Sequence, residues 1–293
     1  MEGAAVNKSS VCAAADFILF VLLLRNTMIP KKIHYFWFGK GNKSELTQYC
    51  IETWKKVQPD FEIIEWTEEN FDVDCNEFVR QAYQQKKWAF VSDFARAKVL
   101  YEEGGFYLDT DMELKLPLNS FLDEKAVCGF EIKGIPFSAF LAVEKGHELA
   151  KDITEYYERQ TVFTETPNTE IFSKLLVEKY GAKADEDECQ ELKFGVKLFP
   201  SYYFSLDLPK NYITHHFSGS WHGAWTEEEN TYKNLVNTYG ILKMLQEIPD
   251  GKKKVKNVVY NHRKIDIDAV LEQIPLTYIA DFMKKKLIQK IKL

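Results

Sequence analysis

Thiol chemistry is nearly absent from this chain of 293 residues. Its five cysteines, Cys12, Cys50, Cys75, Cys128 and Cys189, are scattered without C-x-x-C spacing. That pattern indicates neither a zinc site nor a disulfide framework, and it fits a reducing compartment. Long apolar runs are missing as well. The longest, Phe17 to Leu24, has eight residues, against roughly 20 needed to span a bilayer, and Asp16 interrupts the wider stretch that begins at Val11. Glu2 and one lysine precede this run and Arg25-Asn26-Thr27 follows it, which is unlike the basic start and small-residue cleavage site of a signal peptide. Basic excess is also lacking. With 38 Lys and Arg against 44 Asp and Glu the net charge is −6, which argues against nucleic acid as a partner, because phosphate backbones need a broad basic surface. There is no internal repeat and no low-complexity segment.

What the chain does have is aromatics and an alternation of strand-like and helix-like segments. Its 21 Phe, 15 Tyr and 6 Trp fill a core and also suit stacking on bases or sugar rings. Residues 1–27 do not share the pattern that starts at Ile29, so Met28 is a candidate natural start and the preceding segment reads as a tag, an upstream start or a weak anchor. From there the chain predicts a strand and glycine loop over Pro30–Gly41, a helix over Glu45–Val57, a strand over Phe61–Trp66, a helix over Cys75–Lys87 and a strand over Val127–Glu131. Helical periods follow over Lys145–Tyr180, broken by T-E-T-P-N at Thr164–Asn168. A charged loop covers Lys183–Glu191, and residues 198–225 return to strand and loop. Strands alternating with helices predict a largely parallel sheet. Length predicts one α/β domain with insertions over residues 28–245 and an extension over 246–293. The extension ends in D-F-M-K-K-K-L-I-Q-K-I-K-L, where Phe282, Leu287, Ile288 and Ile291 stand against five lysines. Such a basic amphipathic helix either packs one face on the body or lies on an anionic membrane. The second reading would put a cytoplasmic, peripherally membrane-associated protein at the inner membrane face.

The densest chemistry lies in S-D-F-A-R-A-K-V-L-Y-E-E-G-G-F-Y-L-D-T-D, from Ser92 to Asp111. Phe90, Phe94, Ala97, Leu100 and Tyr101 share one helical face, Gly104 and Gly105 stop the helix, and Asp93 and Arg96 fall one turn apart. Phe106, Tyr107 and Leu108 then form a short strand whose end carries Asp109 and Asp111. Ligands of α/β sheets sit at such strand ends. Two carboxylates there suit a hard cation, Mg or Mn, completed by the phosphates of a nucleotide. Tyr107, two residues before Asp109, shares its face of the strand.

Four blocks in order carry a family resemblance: I-P-K-K-I-H-Y-F-W-F-G at Ile29–Gly39, S-D-x-x-R at Ser92–Arg96, G-G-x-Y-x-D-x-D at Gly104–Asp111 and H-H-F-S-G-S-W at His215–Trp221. Together they resemble the DXD-containing sugar transferases, which include capsular-polysaccharide glycosyltransferases, Golgi outer-chain mannosyltransferases and, more distantly, the glucosylating domains of large bacterial toxins. The likeness covers roughly residues 29–225. It implies a GT-A fold, Rossmann-like with a central mixed sheet flanked by helices. It also implies a retaining hexosyltransferase that takes a nucleotide-sugar donor, UDP-linked before GDP-linked, to a glycan or polysaccharide acceptor. Residue by residue, it implies Trp37, with Phe36 beside it, on the donor base, Asp93 on ribose or sugar hydroxyls, and Arg96 on the sugar or phosphate as a catalytic residue. Asp109 and Asp111 would be the metal-binding catalytic pair, with Tyr107 reaching the same ligand and His216 as a metal or phosphate partner. Ser220 and Trp221 would close over the diphosphate. Asn168 would lie near the donor sugar, although Thr166 stands where the family more often has Gly. Two rival readings share the motif. In a haloacid-dehalogenase-type phosphatase the first Asp is a nucleophile, and Glu113 departs from the Thr or Val usual two residues past the second. The other is a non-catalytic module that binds sugar nucleotides.

Overall fold

The structure is a computed structural model that describes residues 28–207 and 211–218. The first strand, β1 (Lys32–Phe36), leads through a glycine loop into α1 (Glu45–Val57), where the Ser44 hydroxyl accepts the Thr47 N–H as N-cap and Cys50, Ile51 and Trp54 turn inward at helical spacing. Strand β2 (Glu62–Trp66) then pairs parallel to β1. Two helices follow, α2 (Glu77–Gln84) and α3 (Trp88–Glu103). The expected helix over Cys75–Lys87 is shorter at both ends: Asn76 caps α2 through its side chain, and Lys86 adopts a positive φ that breaks it from α3.

After α3 come β3 (Gly105–Leu108), β4 (Met112–Leu114), β5 (Ala126–Ile132) and β6 (Ile135–Val143). Helices α4 (Glu148–Glu158) and α5 (Asn168–Leu175) occupy the expected helical region, and α5 runs on into a π turn over Leu176–Tyr180. Short strands β7 (Gln190–Glu191) and β8 (Val196–Phe199), helix α6 (Ser201–Phe204) and strand β9 (Ile213–His215) complete the described chain.

Seven strands form one sheet in the order β2-β1-β3-β6-β5-β8-β7, and β4 and β9 pair separately. The mixed α/β architecture implied by the resemblance is present. The largely parallel pairing predicted from strand and helix alternation is not: β6 runs antiparallel to both β3 and β5, and β7 is antiparallel to β8. The reason is the tight return after Ile132, where Gly134 has φ 92 and sends the chain straight back as a hairpin. Nearly every residue of β6 is buried, so no two-residue alternation marks it as a strand in the sequence.

Strand alternation divides the core into two layers. On β3, Phe106 and Leu108 join Trp54, Phe61 and Phe204 on one side, while Tyr107 joins Phe94, Leu100, Leu149 and Tyr157 on the other. Among the described residues no helix is long and apolar enough to cross a membrane. Residues 1–27, the tail from 246 onward, and Ser220 and Trp221 all lie outside the described residues.

Candidate metal and nucleotide site

Two glycines aim the site. Gly104 ends α3 at φ 67, donating its N–H to the Leu100 carbonyl at 2.9 Å, and Gly105 opens β3 at φ 108. A Cβ on Gly104 would lie 2.7 Å from the backbone N of Lys145, and one on Gly105 would lie 2.9 Å from the Lys32 carbonyl. Only glycine combines these angles with this closeness. The strand they launch lies between β1 and β6 and ends at Leu108, after which Asp109 donates its N–H to the Ala139 carbonyl and Met112 returns an N–H to the Asp109 carbonyl. Asp109-Thr110-Asp111 is therefore a turn at the carboxyl end of β3, beside the ends of the parallel strands β1 and β2.

The helix contributes a buried cation. Arg96 and Asp93 face one another at 2.8 Å, with side-chain exposures of 7% and 9%. The same guanidinium reaches Asp109 at 3.3 Å and the Ser138 carbonyl at 3.1 Å, and it lies 4.3 Å above the centre of the Tyr107 ring. The Tyr107 hydroxyl donates to the Asp109 carboxylate. Ser138, on β6, passes the network onward: its hydroxyl donates to Asn168 Oδ1, and Asn168 Nδ2 donates to the Tyr157 hydroxyl at 2.8 Å. One polar chain thus ties α3, β3, β6, α4 and the start of α5 to the first aspartate. Burial pushes the Asp93 carboxyl up to about 7 even though Arg96 opposes the shift. Asp109 is also raised, by burial first and by neighbouring Asp111, against the pull of Arg96.

The second aspartate is held from the other side. Pairing of β4 with β9 sets Met112 opposite His215, and His215 Nε2 lies 3.4 Å from Asp111 Oδ1. The Ser218 N–H donates to Asp111 Oδ2 at 2.8 Å. Burial works against the charge on Asp111, but His215 and the Ser218 N–H outweigh it and hold the carboxyl well below the usual range. Burial likewise works against the His215 imidazolium, and Asp111, then Glu131 and Asp109, raise it instead. Asp109, Asp111 and His215 each offer one ligand atom, and these atoms lie within 4.8 Å of one another. His215 Nδ1 is buried without a hydrogen-bond partner. Two carboxylates and an imidazole whose ligand atoms converge in this way are a donor set that fits one divalent cation.

The expected residues distribute unevenly around this cluster. Asp93, Arg96, Tyr107, Asp109 and Asp111 come together. Arg96 is engaged entirely within the protein. Asn168 joins the same network, with both ends of its amide turned inward. His216 does not enter the cluster: its backbone N–H donates to the Asp111 carbonyl at 3.0 Å, while its Nε2 meets Glu113 at 3.0 Å. His215 takes that place because the β9 register turns it toward Asp111. Phe36 is a core ring, packed by Phe38, Trp66, Phe71 and Tyr107. Trp37 stands just past the end of β1, half-buried, with its indole N–H donated to the Gly41 carbonyl at 2.7 Å. Sequence reading missed His215, Ser138 and Glu131. Glu131 is 8% exposed in a strand otherwise free of charge, and burial pushes its carboxyl up to about 7. A single Glu in A-V-C-G-F-E-I was the available signal.

Residues 44–128 match the family described as a glycosyltransferase sugar-binding region containing the DXD motif. That stretch includes Asp93, Arg96 and Asp109-Thr110-Asp111. No curated protein matches the chain. Among solved structures it is similar to the PaToxG glycosyltransferase, with 17% identity, covering 58% of this chain and 78% of that one at a TM-score of 0.41. It is also similar to a glycosyltransferase involved in glycosylation of the major capsid of PBCV-1, with 12% identity, covering 69% of this chain and 98% of that one at a TM-score of 0.37.

Proposed function

We propose that this chain is a retaining glycosyltransferase that moves a hexosyl unit from a UDP-linked sugar to a hydroxyl of a glycan or polysaccharide acceptor, using Mn or Mg. The observation that carries the reading is the Asp109, Asp111 and His215 cluster, its ligand atoms within 4.8 Å of one another at the end of β3, with both aspartates inside the stretch that matches the DXD family. In this reading residues 28–245 form the transferase domain. The family match favours transfer over the phosphatase-type reading of the same two aspartates.

Asp109, Asp111 and His215 would hold the cation, which when bound neutralises the diphosphate as it leaves. The remaining work falls to the chain. Arg96 and Tyr107 fix the Asp109 carboxylate, and the Ser218 N–H fixes Asp111, so that neither has to reorganise as charge develops. Trp37 offers an indole face to the donor base, a sequence-tolerant contact worth about 1–3 kcal/mol. A front-face displacement, in which the departing phosphate oxygen takes the proton of the acceptor hydroxyl, requires positioning of reactants and no protein nucleophile.

A panel of UDP- and GDP-linked sugars with Mn or Mg, read by release of nucleoside diphosphate and by the anomeric configuration of the product, tests this. Release from a UDP-linked hexose with the donor's anomeric configuration preserved is expected. Inverted product removes the retaining mechanism, and preference for GDP-linked donors removes the base assignment. A module that only binds sugar nucleotides would release none.

A further inference from the structure

Lys43 belongs to neither the metal cluster nor the Arg96 network, yet its ammonium is placed with care. It donates to Glu65 Oε1 at 2.6 Å, and Glu65 Oε2 accepts the Tyr35 hydroxyl at 2.6 Å. From that anchor it lies 5.5 Å from the centre of the Trp37 indole and 5.9 Å from the centre of the Tyr35 ring. The Trp37 N–H is tied to Gly41 at the same time. The main chain here is fixed too, since the Gly39 N–H donates to Glu68 at 2.6 Å and the Lys43 carbonyl accepts from Gln48 Nε2 at 2.8 Å.

An ammonium over an indole is attracted by the electron-rich face of the ring. Here the ammonium is itself held by a carboxylate, so it restrains the ring rather than following it. With its edge tied to Gly41 and one face against Lys43, the half-buried Trp37 is a held ring one residue past the end of β1, the strand that pairs with β3. We propose that Lys43 is a positioning residue for the nucleobase of a nucleoside diphosphate, acting through Trp37. This rests on the donor-binding reading given above and adds a residue to it. The cation of Lys43 serves the base platform and not the diphosphate, which lies with Asp109 and Asp111.

The test is equilibrium binding to the full chain in Mn, comparing UDP with pyrophosphate, which has the phosphates and no base. Lys43→Met is expected to weaken UDP about fivefold, the size of one cation–indole contact, with pyrophosphate unchanged. Lys43→Arg, which keeps a cation for Glu65 and the ring, is expected to restore most of the loss. Trp37 emission, isolated by subtraction of Trp37→Phe, should shift in Lys43→Met without any ligand. Equal UDP affinity in Lys43→Met and wild type overturns the proposal while leaving the transferase reading intact. Parallel loss of UDP and pyrophosphate also overturns it, because Lys43 would then be acting on the phosphates. Wild-type protein that binds pyrophosphate but not UDP removes the base platform altogether, and protein that binds neither removes the donor reading and this inference with it.

Discussion

Arg96 is where the strongest opposing terms of the site meet. Its guanidinium is almost wholly buried and is shared between Asp93 and Asp109, which burial alone would drive toward their neutral forms. Removing one partner of such a group leaves uncompensated charge in the interior, which costs about 3–5 kcal/mol. Arg96→Met should therefore lower unfolding stability by that order in urea denaturation. Arg96→Lys should cost less in stability, since a charge remains, but should still impair turnover, because a point charge cannot span Asp93, Asp109 and the Ser138 carbonyl at once. Stability of Arg96→Met within about 0.5 kcal/mol of wild type would show that the network does not hold the site. Of these groups, Asp93, Arg96, Tyr107 and both motif aspartates were legible in sequence, because their spacing on one helix and one strand fixes their faces. His215 was not. The pair His215-His216 offers two equivalent imidazoles, and the choice depends on pairing with Met112, across a separation in sequence that local pattern does not encode.

At the scale of elements, the junction between α3 and β3 decides where the carboxylates point. Gly105→Ala should cost about 2 kcal/mol or more, combining a disfavoured backbone angle with a clash against the Lys32 carbonyl. It should lower thermal stability and nucleotide turnover together. Retained Tm and activity would mean that the junction tolerates a side chain. The same junction carries a titratable bolt. His34 on β1 accepts the Trp66 indole N–H at Nδ1, at 3.1 Å, which leaves the proton on Nε2 to be donated to the Gly104 carbonyl at 2.9 Å. Adding a second proton would set two donors against each other at Nδ1. Burial accordingly lowers the His34 pKa from 6.5 to about 4. A depressed histidine pKa means that the unfolded chain binds the proton more readily, so the neutral ring's contribution is intact above pH 6.5 and is lost as pH falls toward 4. The full difference corresponds to about 3 kcal/mol. Urea unfolding from pH 7.5 to 4 should show wild-type stability falling through that window. In His34→Gln the fall should be shallower, and identical slopes in the two proteins would contradict this role.

Across the whole molecule, the order of elements was readable and the sheet's polarity was not. Glu45–Val57 coincides with its expected boundaries because Ser44 caps it and the apolar spacing is regular. Ile135–Val143 escaped assignment because both of its faces are covered, and with it went the antiparallel centre of the sheet. That strand shapes the candidate site, since β6 supplies Ala139 to anchor the Asp109 N–H and Ser138 to join Arg96 with Asn168. The end of β3 is thus held by α3 through Arg96, by β6 through Ala139 and by the β4–β9 pair through His215. All of them converge on two carboxylates and an imidazole. If that convergence exists to hold a cation against a nucleoside diphosphate, turnover must depend on both the ion and the second aspartate. The most direct measurement is Mn-dependent release of UDP from a UDP-linked sugar by wild type and by Asp111→Asn, which keeps the acceptor for the Ser218 N–H while removing the charge. The account predicts release by wild type that disappears when Mn is chelated, and a loss of at least about a hundredfold in Asp111→Asn at unchanged fold. Full activity of Asp111→Asn with added Mn, or wild-type release indifferent to chelation, would contradict it.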